Sequence, residues 1–102
     1  MKIAIAANTQ DSHAQVSAHA ARAPFYLLYD ENGTFLDSIA NPYSSVERGA
    51  APRAAQLLQE HGVDTLVAVE FGDRFVAKLE EHNITAVLGG DSVSKAIRQV
   101  LA

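Results

Sequence analysis

Apolar residues along this chain gather in short, nearly unbroken runs: "KIAIAAN", "PFYLLYD", "TLVAVEF" and "ITAVLGG". Each has the length of a strand, and "KIAIAAN" and "TLVAVEF" lack the alternation of a strand with one wet face. These runs predict strands buried on both faces of a sheet. "TFLDSIAN" does alternate, and it follows "PFYLLYD" across the turn signal "ENG". Phe25 to Ile39 therefore reads as a β-hairpin.

Three other stretches have helical spacing. In "RAAQLLQEHG", with Ala51 ahead of it, Ala51, Ala54, Ala55 and Leu58 share a face; Pro52 suits the first turn and Gly62 the C-terminal stop. In "RFVAKLEEHN", Phe75, Val76 and Leu79 turn inward, behind Gly72 and with Asp73 as the N-cap. In "VSKAIRQVLA", Val93, Ile97 and Val100 make the apolar face, capped by Ser92 or Asp91. The order is β-β-β-α-β-α-β-α. Strand–helix–strand units impose parallel pairing with right-handed crossovers. The expected architecture is α/β: one domain over residues 1–102, a mixed five-stranded sheet with helices on its faces.

That topology locates an edge. The C-terminal ends of the parallel strands fall near Asn8, Phe71–Gly72 and Leu88–Gly89, and open α/β sheets bind ligands along such an edge. Helices beginning after Gly72 and after Gly89–Gly90 would present free N–H groups to an anion. The "GGDS" stretch also has the plainer reading of a strand-to-helix turn with its N-cap. Residues 9–22 leave from Asn8 and lie beside this edge. They form a polar, small-residue connection without strong apolar periodicity, long for a compact domain, and they carry His13, His19 and Arg22.

Composition narrows the chemistry. The net charge of −4 argues against a broad nucleic-acid footprint, although Arg22, Arg48 and Arg53 could form a local basic spot. With no cysteine, neither a thiolate metal site nor a disulfide can form, and histidine is the softest metal donor available. The opening "MKIAIAANTQ" is too short an apolar run for a signal peptide or a span, so a cytoplasmic protein without membrane contact is expected. His61 and His82 sit at helix ends, where the helix dipole accounts for them. His13 and His19 are six apart and do not form a helical metal pair; an ordinary solvated loop histidine remains an alternative for each. Arg22 reads either as an anion contact or as a surface ion pair with Asp11 or Glu47. There is no P-loop, no dinucleotide glycine fingerprint and no serine nucleophile elbow. A sheet of this order is similar to that of ribonuclease-H-like nucleases, but the first strand lacks the acidic residue a two-metal centre would need.

Two segments are similar to a known family. "VSAHAARAPFYLLYD" resembles its S-x-H-F-G-R-A motif followed by an aromatic strand. "RGAAPRAAQLLQEHGVDTLVA" resembles its G-G-A-G-P-R-A-A-x-x-L-x-x-x-G-V-D segment, and "MKIAIA" and "GGDSVSKAIRQVLA" fit its ends. Over essentially its whole length the chain thus resembles the dinitrogenase iron–molybdenum cofactor biosynthesis family, which includes carriers of the NifX and NafY kind and the C-terminal domain of NifB. The resemblance implies a ribonuclease-H-like fold. It also implies a non-catalytic carrier or scaffold for iron–molybdenum cofactor or a precursor iron–sulfur cluster, working with nitrogenase cofactor assembly proteins. Position by position it makes His19 the metal ligand and Arg22 a cofactor contact, with Ser17, Gly49, Pro52 and Arg53 also matching. His19, Arg22, Ser17, Gly49 and Arg53, with the sheet-edge residues Asn8, Gly72, Gly89 and Gly90 added, are the candidate cofactor-binding set. The family's Phe-Gly is Ala20–Ala21 here, which leaves an alternative: an interaction or regulatory module that has lost cluster binding. A metal-dependent phosphatase or nuclease using Glu70 or Asp73 is a third reading.

Overall fold

The first apolar run forms β1 (Lys2–Ala7), in which Ile3 to Ala7 are all fully buried. A strand buried on both faces must lie in mid-sheet with layers above and below, and β1 does. A computed structural model describes residues 1–11 and 13–102. After β1 come β2 (Phe25–Asp30), β3 (Phe35–Ala40), α1 (Ala50–Glu60), β4 (Thr65–Ala68), α2 (Asp73–Glu81), β5 (Thr85–Leu88) and α3 (Val93–Leu101). The sheet runs β3-β2-β1-β4-β5. β1 pairs antiparallel with β2 and parallel with β4; β4 pairs parallel with β5.

The period of two along β1 divides the core. Ala4 and Ala6 face the layer of α1 and α2, meeting Ala54, Ala55, Leu58, Leu66 and Leu79. Ile3, Ile5 and Ala7 face α3, meeting Val67, Val93, Ala96 and Ile97. Alanines on the two-helix side let α1 and α2 lie close to the sheet; isoleucines fill the side that one helix covers.

The hairpin forms as expected, with β2 antiparallel to β3 and a register shift at Leu28/Tyr29. The Asp30 carboxylate accepts from the N–H groups of Asn32 and Thr34, and Gly33 takes positive φ. Helix boundaries differ from the expectation at their starts. α1 begins at Ala50, behind Gly49 at φ 76°, so Pro52 is in the first turn but at its third position, two beyond the one proline most favours. Gly72 rather than Asp73 is the N-cap of α2, and Asp73 contributes its charge to the first turn. Ser92 caps α3, accepting from the Lys95 N–H at 3.2 Å. The C-terminal ends of α1 and α2 share one device: Gly62 and Asn83 take positive φ, and Val63 and Ile84 then return to the core. β4 ends at Ala68, earlier than "TLVAVEF" suggests, because the Val69 N–H leaves the ladder for the Ser17 carbonyl at 3.0 Å.

Candidate functional site

The segment after β1 is more structured than its polar sequence implies. Asn8 N–H donates to the Gln15 carbonyl, Ala7 bridges Val16, and Gln15 bridges Ser92. Ala14, Val16, Ser17 and Ala20 are buried. The connection is a strap across the sheet edge, not a loose loop.

Within it, "SAHAAR" is held from beneath by buried polar bonds. Ser17 is fully buried: its N–H donates to the Ala6 carbonyl, and its Oγ accepts from the His19 N–H at 3.1 Å. The Tyr26 hydroxyl donates to the Ala20 carbonyl at 2.5 Å. Asn41, also buried, donates through Nδ2 to the carbonyls of Ala21 and Ala23, at 3.1 and 2.9 Å. Its own N–H donates to the Pro24 carbonyl. Burial pushes the Tyr26 phenol well above the usual tyrosine range, so it remains a neutral donor. These partners hold the backbone around His19 while the His19 side chain stays exposed.

Arg22 does not form the ion pair expected with Asp11 or Glu47. Its guanidinium donates to the carbonyls of Val46 and Glu47, not to the carboxylates of Asp11 or Glu47. It ties the strap to the 41–49 segment, and so to the start of α1. Arg53 lies over the Tyr43 ring, 6.0 Å from its centroid.

Two adjoining depressions open here, sharing Ala21, Arg22 and Gly72. The smaller, about 310 Å³, is lined by His19 together with Glu70 and Phe71. The larger, about 940 Å³, runs between α1 and α2, with Gly49, Ala50, Ala51, Pro52 and Phe75 in its wall. Arg48, Arg74 and Lys78 also line it. Thus His19, Arg22, Gly49 and Gly72 come together. Ser17 lies beneath them and Arg53 beside them.

Asn8, Gly89 and Gly90 line neither depression. The start of α3 is closed by the chain itself: Val93 N–H donates to the Ala14 carbonyl, and Val16 N–H to the Asp91 carbonyl. A Cβ on Gly89 would lie 2.6 Å from Val67 Cγ1, so this glycine serves close packing.

His61 and His82 are the C-cap residues of α1 and α2, in agreement with their structural reading. The His82 ring also bonds Gln59 of α1 at 2.5 Å. His13 lies in the outer turn, its N–H donating to Asp11. Among the described residues no three of His, Asp and Glu gather as a metal-binding group. Sequence reasoning missed Arg74 and Lys78 as well as Tyr26 and Asn41. The spacing of Arg74 and Lys78 on one face of α2 was the available signal. Nothing local marked Tyr26 or Asn41.

Solved structures share this fold. The apo form of the orange protein from Desulfovibrio gigas superposes with a TM-score of 0.90 at 22% identity, over 98% of this chain and 86% of that one. A Thermotoga protein assigned to NifB and to the DUF35 family superposes at 0.81 with 27% identity, over 97% and 85%. No curated protein matches the chain significantly in sequence. The family model for dinitrogenase iron–molybdenum cofactor matches residues 1–102, and the chain belongs to that family.

Proposed function

We propose that the chain is a non-catalytic carrier or scaffold whose cargo is iron–molybdenum cofactor or a precursor iron–sulfur cluster. The observation that carries this reading is the exposed His19 imidazole on a backbone fixed by buried hydrogen bonds, beside an arginine-lined groove. A preassembled cluster brings its own sulfide ligands and needs few from the protein. One imidazole, with positive charge around it, suits an anionic cargo of that kind. His19 is the metal ligand in this reading. Arg22, Arg53 and the backbone at Gly49 and Gly72 hold the periphery, and Ser17 sets the turn; Asn8, Gly89 and Gly90, which line neither depression, have no part in it. The strand order supports the ribonuclease-H-like label. Family membership supports nitrogenase cofactor assembly proteins as partners. No helix among the described residues is long and apolar enough to cross a membrane, which accords with a cytoplasmic place of work.

The test is anaerobic reconstitution with isolated cofactor or precursor cluster, read by metal analysis and native mass spectrometry. Uptake near one cluster per chain is expected, and His19→Ala should reduce it several-fold. Uptake unchanged by that substitution would remove His19 from its role. No uptake by the unaltered chain would favour the module that has lost cluster binding, the reading that Ala20–Ala21 motivates. Mg²⁺- or Mn²⁺-dependent hydrolysis abolished by Glu70→Gln would favour the hydrolase instead.

A further inference from the structure

The carrier reading uses the larger depression only as positive charge beside His19; its charges also form a pattern of their own along the groove. The chain is acidic overall, with eight Lys and Arg against twelve Asp and Glu. Yet Arg22, Arg48, Arg74 and Lys78 line this one groove, against only Glu47 and Glu81 among the acids. Lys78 pairs with Glu81 at 3.2 Å, and Arg22 is engaged by backbone carbonyls. Arg48 and Arg74 have no ion-pair partner among the described residues. They come from opposite walls, one ahead of α1 and one in the first turn of α2.

Between these charges the lining is apolar: Ala21, Ala50, Ala51, Phe75 and Ala77. Most of these are alanines, which let another backbone approach closely. The lining follows α2 from Gly72 to Glu81, and a helix of this length spans roughly 13 Å. A length of that order fits a short stretch of polypeptide lying along the helix. Its occupant needs carboxylates for the two arginines and an apolar strip for the alanines.

We infer that the α1–α2 groove docks an acidic, amphipathic segment of a partner protein, with Arg48 and Arg74 receiving its carboxylates. The groove shares Ala21, Arg22 and Gly72 with the His19 depression, so the docked segment would lie beside the exposed imidazole. Naming that partner as the protein that delivers or receives the cargo rests on the carrier reading; the docking itself does not.

The experiment is an NMR titration of the ¹⁵N-labelled chain with a short synthetic peptide carrying Glu and Leu at helical spacing. Shifts are expected at the amides of Arg48 to Ala51 and Arg74 to Lys78, with affinity falling as salt is raised. Arg74→Glu and Arg48→Glu should each weaken binding about tenfold, the order expected of an interface charge, with an unchanged circular dichroism spectrum. His19→Ala should retain the peptide affinity, so failure of docking and failure of the carrier reading are told apart. Equal binding of the Lys counterpart peptide, or shifts centred elsewhere, would overturn the proposal. Equal affinity for free glutarate would also overturn it, in favour of a small carboxylate ligand.

Discussion

Two stretches at the same sheet edge have opposite fates. "SAHAAR" and "GGDS" both lie beyond the C-terminal end of a parallel strand, and one carries an arginine and the other glycines of the kind that suit an anion. In "SAHAAR" the backbone carbonyls are satisfied from below by Tyr26 and Asn41, which leaves the His19 side chain exposed above. In "GGDS" the strap itself occupies the helix start, through Ala14 and Val16, and Ser92 completes the cap. A helix N-terminus is available to a ligand only where the chain has not already filled it. Buried polar residues can serve a site without touching it, by fixing the backbone that carries the exposed group.

The largest test of this contrast is Asn41→Ala, which leaves the Ala21 and Ala23 carbonyls without their buried donor. A loss of about 3 kcal/mol is expected in denaturant unfolding. Faster amide exchange should be confined to residues 17–24 and to Tyr43, whose N–H donates to the Asn41 side chain, and uniform exchange across the sheet would contradict the buttress role. Next is Gly89→Ala, whose Cβ meets Val67 Cγ1. Overpacking of about 2 kcal/mol is expected, while Gly90→Ala, with open space around it, should stay within about 0.5 kcal/mol. Equal costs at the two glycines would show that packing does not explain Gly89.

Tyr26→Phe should cost about 1 kcal/mol by removing the donor to the Ala20 carbonyl. It has a pH signature as well. The unfolded phenol ionises near pH ~10, whereas burial keeps the folded one protonated to higher pH. Above that point the unfolded chain binds fewer protons, so stability present below pH ~10 is lost as pH rises. Tyr26→Phe should flatten this alkaline slope, leaving a smaller one from half-buried Tyr29, whose phenol is also pushed up. An unchanged slope in urea melts between neutral and alkaline pH would count against a buried, neutral Tyr26. The smallest effect is Lys95→Ala at the α3 start. Its exposed pair with Asp91 at 2.9 Å should contribute only a few tenths of a kcal/mol. Cluster uptake should not change, since this helix start is already closed by the chain.

Much of the fold was legible because its signals are local. The unbroken run in β1, the Asn32–Gly33 turn, the stop at Gly62 and the Ser92 cap each lie within a few residues of what they determine. The first helix was read with Ala51 on its inner face and Pro52 in its first turn, as found; only Gly49 as the residue that starts it was missed. The strap was harder to read. Ala14, Val16 and Ala20 have no periodicity, and only the neighbouring β1, β4 and α3 make burying them favourable.

The candidate site divides the same way. The motif marked His19 and Arg22, and the sheet order correctly placed them near Gly72. That Arg22 would bond the Val46 and Glu47 carbonyls depends on where the 41–49 segment crosses, which no local spacing encodes.

The sequence by itself determined the element order, the two-sided burial of β1, the Ser92 cap of α3 and the membership of a cofactor family, since each is written in short-range pattern or motif. Tertiary structure alone decided that the strap closes the start of α3, which carbonyls Tyr26 and Asn41 satisfy, and that arginines 26 residues apart, Arg48 and Arg74, face one groove. Those outcomes depend on contacts between segments distant in the chain. Their partners are chosen by the packing of α1, α2 and α3 on the sheet, not by any residue's neighbours in sequence.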